Sequence, residues 1–429
     1  MKTMKPLIIM LLTTMFLTII CYGETGPVDV NPGAIKKAAE IHERVLTVDT
    51  HVDTPFMLER ENFDIGKIND PRKRGGKVDF PRMKKGGLDA IFFAVFVGQA
   101  ERTPAGNEKA KNEALETFAL IHNAVKAYPD QVESALTPDD AYRIEKNGKR
   151  AIYIGIENGY TLGYDIGLVK KYYDLGARYI TLCHTKNNDI CDSSTDEKGP
   201  EHNGLSPFGK QVVKEMNRLG MLVDVSHISD KSFYDVLEVS TAPVVATHSC
   251  ARAVCDNPRN LSDDMLKKLA QKRGVIQLCI YSEYVKKMPV NPEREAAHQA
   301  MHEKRRNYDT LSAAEKKKAR EEWMSIEEKY PPNLATAAEA VDHIDHIVKV
   351  AGIDYVGIGT DFDGGGGLKD CFDVSQMGNI TLELVKRGYS EEDIRKIWGG
   401  NFMRVFREIE RVARETREKQ ENLTSNVLL

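Results

Sequence analysis

The sequence has little of what would make it a nucleic-acid binder, a nucleotide enzyme or a membrane-spanning protein. Its 60 basic and 64 acidic residues are mixed along the chain and leave a formal charge of −4, so no basic stripe offers a polyanion a track to follow, and nucleic acid is not an expected partner. No GxGxxG opens a first helix, and the glycine run at 364–367 lacks the lysine and the following helix start of a phosphate loop. No CxxC pair is available for a structural metal. Beyond residue 20 no apolar run approaches the length of a transmembrane segment. These absences leave a small, uncharged or zwitterionic molecule as the partner the composition fits.

The single long apolar run is N-terminal. Lys2 and Lys5 precede an apolar stretch from Leu7 to Ile20, which then meets the small residue Gly23. That is the pattern of a cleaved export signal, and it predicts a signal peptide over 1–23, a single domain over 24–429, and a periplasmic or secreted destination. Lipid anchoring through Cys21 is the lesser reading, because Ile20 is not the small residue such processing prefers. The charged C-terminal stretch 414–429 lacks the hydrophobic tail of a glycolipid-anchor signal. Six cysteines remain, Cys183, Cys191, Cys250, Cys255, Cys279 and Cys371; they read as buried small residues, with one or two bridges among them in an oxidising compartment.

What the sequence has in abundance is one repeated rhythm, a short β-branched run followed by a polar loop and a helix-period segment. Eight such runs occur, at 45–51, 88–97, 151–158, 177–184, 221–227, 243–249, 274–280 and 355–363. Their near-continuous hydrophobicity suits strands buried on both faces of a parallel sheet. Intervening helices are predicted over 165–175, 207–219, 230–238, 262–272 and 335–351, with a charged closing helix over 391–418. Eight alternating units predict an α/β fold closed into a (β/α)₈ TIM barrel. The stretch 285–333 interrupts the rhythm after the seventh run with two proline-bounded, strongly charged helices. It leaves from the face where barrel loops shape the active site, as a lid, a dimer contact or an inert decoration.

Metal-binding residue types stand at the C-terminal ends of these strands: His51, Glu157, His184, His227, His248 and Asp361. Only eleven histidines exist in the chain, and four of them terminate predicted strands, which a barrel brings to one mouth. His51 and Asp53, two apart on extended backbone, point the same way and can serve one metal. Nitrogen with carboxylate oxygen suits Zn²⁺, though Mn²⁺ or Co²⁺ would also be accepted. Glu157 ends an apolar strand, where an unpaired charge is costly, and a carboxylate there can bridge two cations. His227 and His248 end consecutive strands and present two imidazoles to the second metal, with Asp224 and nearby hydroxyls placed to orient the rings. Asp361 and Asp363 share a face, and either could carry protons. His343 and His346 have the spacing of a metal pair, but helical periodicity assigns them to an outer-helix surface. Cys183 and Cys250 are turned away by strand alternation and are not expected as nucleophiles.

Several ordered segments carry a resemblance: VDTHVDTP, DFPRMKKGGLDAIFFAVFV, GIENG, RYITLCH, GMLVDVSHIS, PVVATHSCARAVCDNPRNLSDDML, VGIGTDFDGG and GNFMRVFREIE. Through them the chain resembles, from about Val45 to Glu410, the membrane (renal-type) dipeptidases, zinc metallopeptidases related to the amidohydrolases. The resemblance implies a zinc-dependent dipeptidase with two Zn²⁺ ions, one held by His51 and Asp53, the other by His227 and His248, and Glu157 bridging. It also implies roles the residues alone do not give: Asp361 as proton carrier and contact for the substrate amine, His184 polarising the scissile carbonyl, and Arg259 binding the free carboxylate. The expected reaction is cleavage of L-Xaa-L-Xaa, and of L-Xaa-D-Xaa where the pocket accepts it, by water activated between the metals. A barrel amidohydrolase acting on a cyclic amide or lactam is the alternative, disfavoured because such enzymes commonly begin with His-x-His; an exported binding protein without chemistry is the second. The family's members are typically dimers, so the resemblance also implies a homodimer. The insertion 285–333 is longer than in the mammalian members and looks like that of bacterial relatives.

Overall fold

Apolar and β-branched runs make extended backbone where a sheet can bury both faces, and all eight runs read from the sequence are strands. In chain order the strands are β1 (Val48–Val52), β2 (Ala90–Phe96), β3 (Val132–Ser134), β4 (Arg150–Glu157), β5 (Ala177–Thr181), β6 (Leu222–Asp224), β7 (Val245–Ser249), β8 (Val275–Leu278) and β9 (Val356–Ile358). The addition is β3, three residues pairing with the start of β4 off the main sheet path. The computed structural model describes residues 31–72, 76–305 and 312–427; the expected signal peptide 1–23 lies outside them.

The strands pair in parallel in the order β1-β2-β4-β5-β6-β7-β8-β9. Two backbone bonds close the ring. Asp361 N–H donates to the His51 carbonyl at 2.9 Å, and Asp53 N–H donates to the Phe362 carbonyl at 2.8 Å. The fold is the (β/α)₈ barrel that the repeat predicts. Several return helices start at a side-chain cap: Ser206, Ser229, Ser262 and Thr336 each accept a hydrogen bond from the backbone N–H three residues on, which satisfies one of the donors a helix start leaves free.

The core has two parts. One lies between the sheet and the helices, and the other holds alternate strand residues Val48, Phe92, Tyr153, Tyr179, Leu222, Val245 and Val275 together with Phe402 and Phe406 of the closing helix. Phe92 stacks on Tyr153 with centroids 4.5 Å apart and meets Phe402 edge-on at 5.2 Å. Burying each such aromatic contributes on the order of 2–3 kcal/mol, and together they plug one end of the barrel. The opposite, C-terminal end is left to polar side chains. The insertion supplies helices Pro292–Arg305 and Ala313–Lys329, joined by an Arg294–Glu327 pair at 3.0 Å.

Two expectations need correction. His343 is buried rather than on an outer surface: its Nδ1 accepts from Ala251 N–H at 3.1 Å and its Nε2 meets the Val285 carbonyl at 2.8 Å. Its helix packs between barrel and loop, so the amphipathic face that carries His343 is the inner one, while His346 pairs with Asp263 at 2.7 Å. Neither serves a metal. All six described cysteines are buried free thiols, so no bridge forms among them.

Candidate active site

Strand ends deliver the predicted residues to one place. His51 comes from β1 and Asp53 from the residues just after it, Glu157 ends β4, His184 follows β5, His227 follows β6, His248 lies in β7, and Asp361 follows β9. Glu157 is the hub. Its Oε1 lies 3.1 Å from His227 Nε2, 3.3 Å from His248 Nε2 and 3.9 Å from His184 Nε2, and its Oε2 lies 3.5 Å from His51 Nε2. His51 Nε2 is 3.7 Å from Asp53 Oδ2. Ligand-type atoms gather in three sets, each within 4.8 Å: His51, Glu157 and His248; Glu157, His184 and His227; and His51, Asp53 and Asp361. His248 thus reaches toward His51 as well as His227, their ring centroids being 3.8 and 4.9 Å away, and the cluster is more compact than two separate pairs.

Burial and mutual proximity set the electrostatics. Burial alone would raise Glu157, but the imidazoles of His51, His184, His227 and His248 hold it well below the usual carboxylate range. Burial pushes His227 well down, with Arg259 and His184 adding to it, and burial with the charge of His51 brings His248 to about 3. Both imidazoles are therefore neutral and have a lone pair to offer. His51 is raised despite its burial, through Tyr179 and Glu157. Burial and the charge of Glu157 lift Asp53 to about 6, and burial with Asp53 and Glu157 lifts Asp361 well above its ordinary value. Three acidic groups this close repel one another unless a cation stands between them.

The donor set fits a divalent metal. His51 Nε2, Asp53 Oδ1 and His227 Nδ1 are buried without a hydrogen-bond partner, a costly condition for polar atoms with no further role. His227 Nε2 and His248 Nε2 face each other at 2.8 Å, an arrangement of two neutral imidazoles that a shared cation relieves. Nitrogen and carboxylate donors in this proportion suit zinc-like ions.

Around the cluster stand the remaining predicted residues. Buried Arg259 points Nη2 at the His248 carbonyl at 3.1 Å and lies over the Tyr284 ring at 5.1 Å, while its Nε has no partner. Asp363 is occupied elsewhere, accepting from Thr54 Oγ1 at 2.8 Å and Lys77 N–H at 2.7 Å, so of the two aspartates Asp361 is the one that faces the cluster. His184 is lowered by burial and its ring meets Phe96 edge-on at 4.8 Å, with Phe56 beyond at 5.4 Å. A cavity of about 990 Å³ opens beside His184, between the loop after β2 and the loop after β5, with Gln99, Arg102, Thr185 and Glu201 among its walls. None of the cluster residues lines it.

Sequence reasoning misses Tyr179, Phe56, Phe96 and Tyr284. Tyr179 Oη lies 2.8 Å from His51 Nδ1; it shares strand parity with inward Thr181, a usable signal once the barrel is assumed. Phe96 ends β2, and Phe56 and Tyr284 lie in the short helices Pro55–Leu58 and Ser282–Val285, so which aromatic meets which depends on how these pieces pack at the mouth.

Comparison with known proteins follows the same line. The chain is 33% identical over 372 residues to the dipeptidase tcpJ of Claviceps purpurea, covering 85% of this chain and 77% of that protein. It is 32% identical to the dipeptidase aclJ of Aspergillus oryzae, over 79% of this chain and 71% of that protein. The crystal structure of the probable dipeptidase PvdM of Pseudomonas aeruginosa superposes with a TM-score of 0.75 at 32% identity, covering 89% of this chain and 100% of that one. Residues 35–420 match the family described as membrane dipeptidase, peptidase family M19, and with relatives at this identity and coverage the chain belongs to that family.

Proposed function

We propose that this protein is a zinc-dependent dipeptidase that hydrolyses the peptide bond of dipeptides, L-Xaa-L-Xaa and, where the pocket admits it, L-Xaa-D-Xaa. The observation that carries the reading is the convergence on Glu157 of four imidazoles, with buried nitrogen and oxygen atoms left unpaired, in a chain of a dipeptidase family. His51 and Asp53 would hold one ion, His227 and His248 the other, and Glu157 both; the presence of Glu157 in two of the three ligand sets supports the bridging role. Bound there, a pair of divalent ions lowers the pKa of water and polarises a carbonyl.

The chain's own groups do the rest. The unpaired Nε of Arg259 suits the free carboxylate of a substrate by a charge-assisted hydrogen bond. Asp361, grouped with His51 and Asp53 in the cluster, would meet the free amine. A substrate held at both charged ends leaves no room for a longer peptide, and the fixed ends align the scissile bond. His184, 3.9 Å from Glu157 and braced by Phe96, is positioned to stabilise the oxyanion. Asp361, beside Asp53 in the cluster, would pass a proton to the leaving amine.

Lys2 and Lys5 ahead of the apolar stretch Leu7–Ile20 support export; removal of 1–23 would release 24–429 as one domain to the periplasm or beyond. Among the described residues no helix is long and apolar enough to cross a membrane. A homodimer is the assembly suggested by family resemblance. The direct test is Asp361→Asn in purified protein with metal content measured alongside. Two zinc ions per chain and the fold should be kept, while turnover of a dipeptide panel falls by two or more orders of magnitude. Unchanged turnover would reject the role of Asp361, and a metal-loaded wild type that cleaves no dipeptide would reject the function.

A further inference from the structure

Two buried aspartates outside the ligand cluster are bonded in the same way. Asp224 on β6 accepts from the backbone N–H of Thr247 at 2.9 Å through Oδ1 and from its hydroxyl at 2.6 Å through Oδ2. Asp49 on β1 accepts from the backbone N–H of Thr360 at 2.8 Å and from its hydroxyl at 2.5 Å. Each threonine immediately precedes a residue of the site, His248 in one case and Asp361 in the other. The pattern is an inter-strand clamp used twice, and at His248 it has a chemical consequence.

Asp224 Oδ1 also receives Ser226 N–H at 3.0 Å, and Oδ2 also receives the Thr181 hydroxyl at 2.5 Å. Four donors fill the four acceptor sites of a carboxylate. The Thr247 hydroxyl has one hydrogen, and it is directed to Asp224. Its oxygen also lies 2.9 Å from His248 Nδ1, and with its hydrogen committed it can only accept there. The proton of neutral His248 therefore resides on Nδ1, which leaves the lone pair on Nε2, the nitrogen that faces Glu157 and His227.

We propose that Asp224 and Thr247 are positioning residues that lock His248 in the Nδ1–H tautomer and so set metal affinity at the site. The proposal rests on the reading of this cluster as a metal centre. Carboxylates commonly orient a ligating imidazole directly; here the carboxylate acts through a hydroxyl on the adjoining strand. The hydroxyl also sees the ring from a fixed direction, because the backbone N–H of the same threonine is held by the same carboxylate. Rotation of Thr247 would break two bonds rather than one.

The test compares three variants, Thr247→Val, Thr247→Ser and Thr181→Val. Valine at 247 keeps the shape and removes the acceptor, serine restores it, and valine at 181 removes a donor to the same Asp224 oxygen without touching an imidazole. Zinc affinity is measured by competition with a chromophoric chelator, and the His248 tautomer by nitrogen chemical shifts in metal-free, histidine-labelled protein. Thr247→Val should weaken zinc binding about 10–100-fold and mix the tautomers of His248. Thr247→Ser should stay within about threefold of wild type, as should Thr181→Val. Wild-type affinity in Thr247→Val, or equal weakening in Thr181→Val, would overturn the relay. A wild-type protein that binds no divalent ion would instead overturn the metal centre, and the two failures are thereby distinct.

Discussion

A methyl group at residue 364 would have its Cβ 2.0 Å from Asp53 Oδ2 and 2.2 Å from Asp361 Oδ1. Both carboxylates sit on short side chains rooted in the barrel rim, so neither can retreat without leaving the cluster. The backbone at Gly364 itself is pinned, its N–H donating to the Asp361 carbonyl at 3.1 Å. Gly364→Ala therefore should leave the barrel folded and move the two carboxylates apart. The expected result is at least tenfold weaker zinc binding, in line with the effect of disturbing the groups that orient ligands, with a correspondingly larger loss of activity at limiting metal. Chelator competition on the variant measures it, and undiminished affinity would show that Asp53 is not a ligand. A second glycine serves from below: a Cβ at Gly155 would lie 2.0 Å from the Tyr179 ring, so the glycine gives Tyr179 the space through which its hydroxyl reaches His51.

At the scale of elements, stability is separable from the site. Helix Pro138–Lys146 begins with a capping box in which Asp140 Oδ2 accepts from Thr137 N–H at 2.8 Å, Leu136 N–H at 3.0 Å and the Thr137 hydroxyl at 2.9 Å. Burial opposes the charge of Asp140, yet these bonds and Arg143 hold it down at about 2. A folded value below the unfolded one gives stabilisation that is present above about pH 4 and is lost as pH falls through about 2. Asp140→Ala should cost about 1 kcal/mol at neutral pH, a cap's ordinary contribution discounted for solvent exposure. The gap between wild type and variant in urea midpoints should narrow as pH falls from about 4 to about 2, and a gap independent of pH would contradict the assignment. The elements themselves were largely legible, because each barrel strand is apolar on both faces and each helix is periodic. Strand β3 escaped because three residues, one of them Glu133, carry no period. His343 escaped for the opposite reason: periodicity marks a face but not which side of the helix the loop after β8 will cover. The residues of the cluster were legible because a barrel converts strand ends into neighbours, and strand parity could also have marked Tyr179, whereas the Phe56–Phe96 contact needed the three-dimensional course of the chain.

Across the whole molecule, the residues of the cluster span hundreds of positions, from His51 on β1 to Asp361 beyond β9, and closure of the ring brings the two ends of that span together. An ion that binds this cluster binds the folded chain and not the unfolded one, so its binding free energy is added to global stability. The metal-free cluster also concentrates buried carboxylates, Asp53 being raised by burial and Glu157, and Asp361 by burial, Asp53 and Glu157, and a cation offsets that repulsion. At free zinc one hundred times the dissociation constant the gain is about 2.7 kcal/mol for one site. With an unfolding entropy of about 2 cal/mol/K per residue, a chain of this size should melt about 3 °C higher for each such site. Metal-free protein titrated with zinc in a calorimeter should show this rise, and Glu157→Gln, which removes a charge shared by both proposed ions, should show much less of it. A midpoint that ignores zinc in the wild type would mean the cluster holds no ion. A rise that survives in Glu157→Gln would place the ion away from the hub and undo the bridging role. Because the readout is stability, it decides between these cases without relying on any choice of peptide substrate.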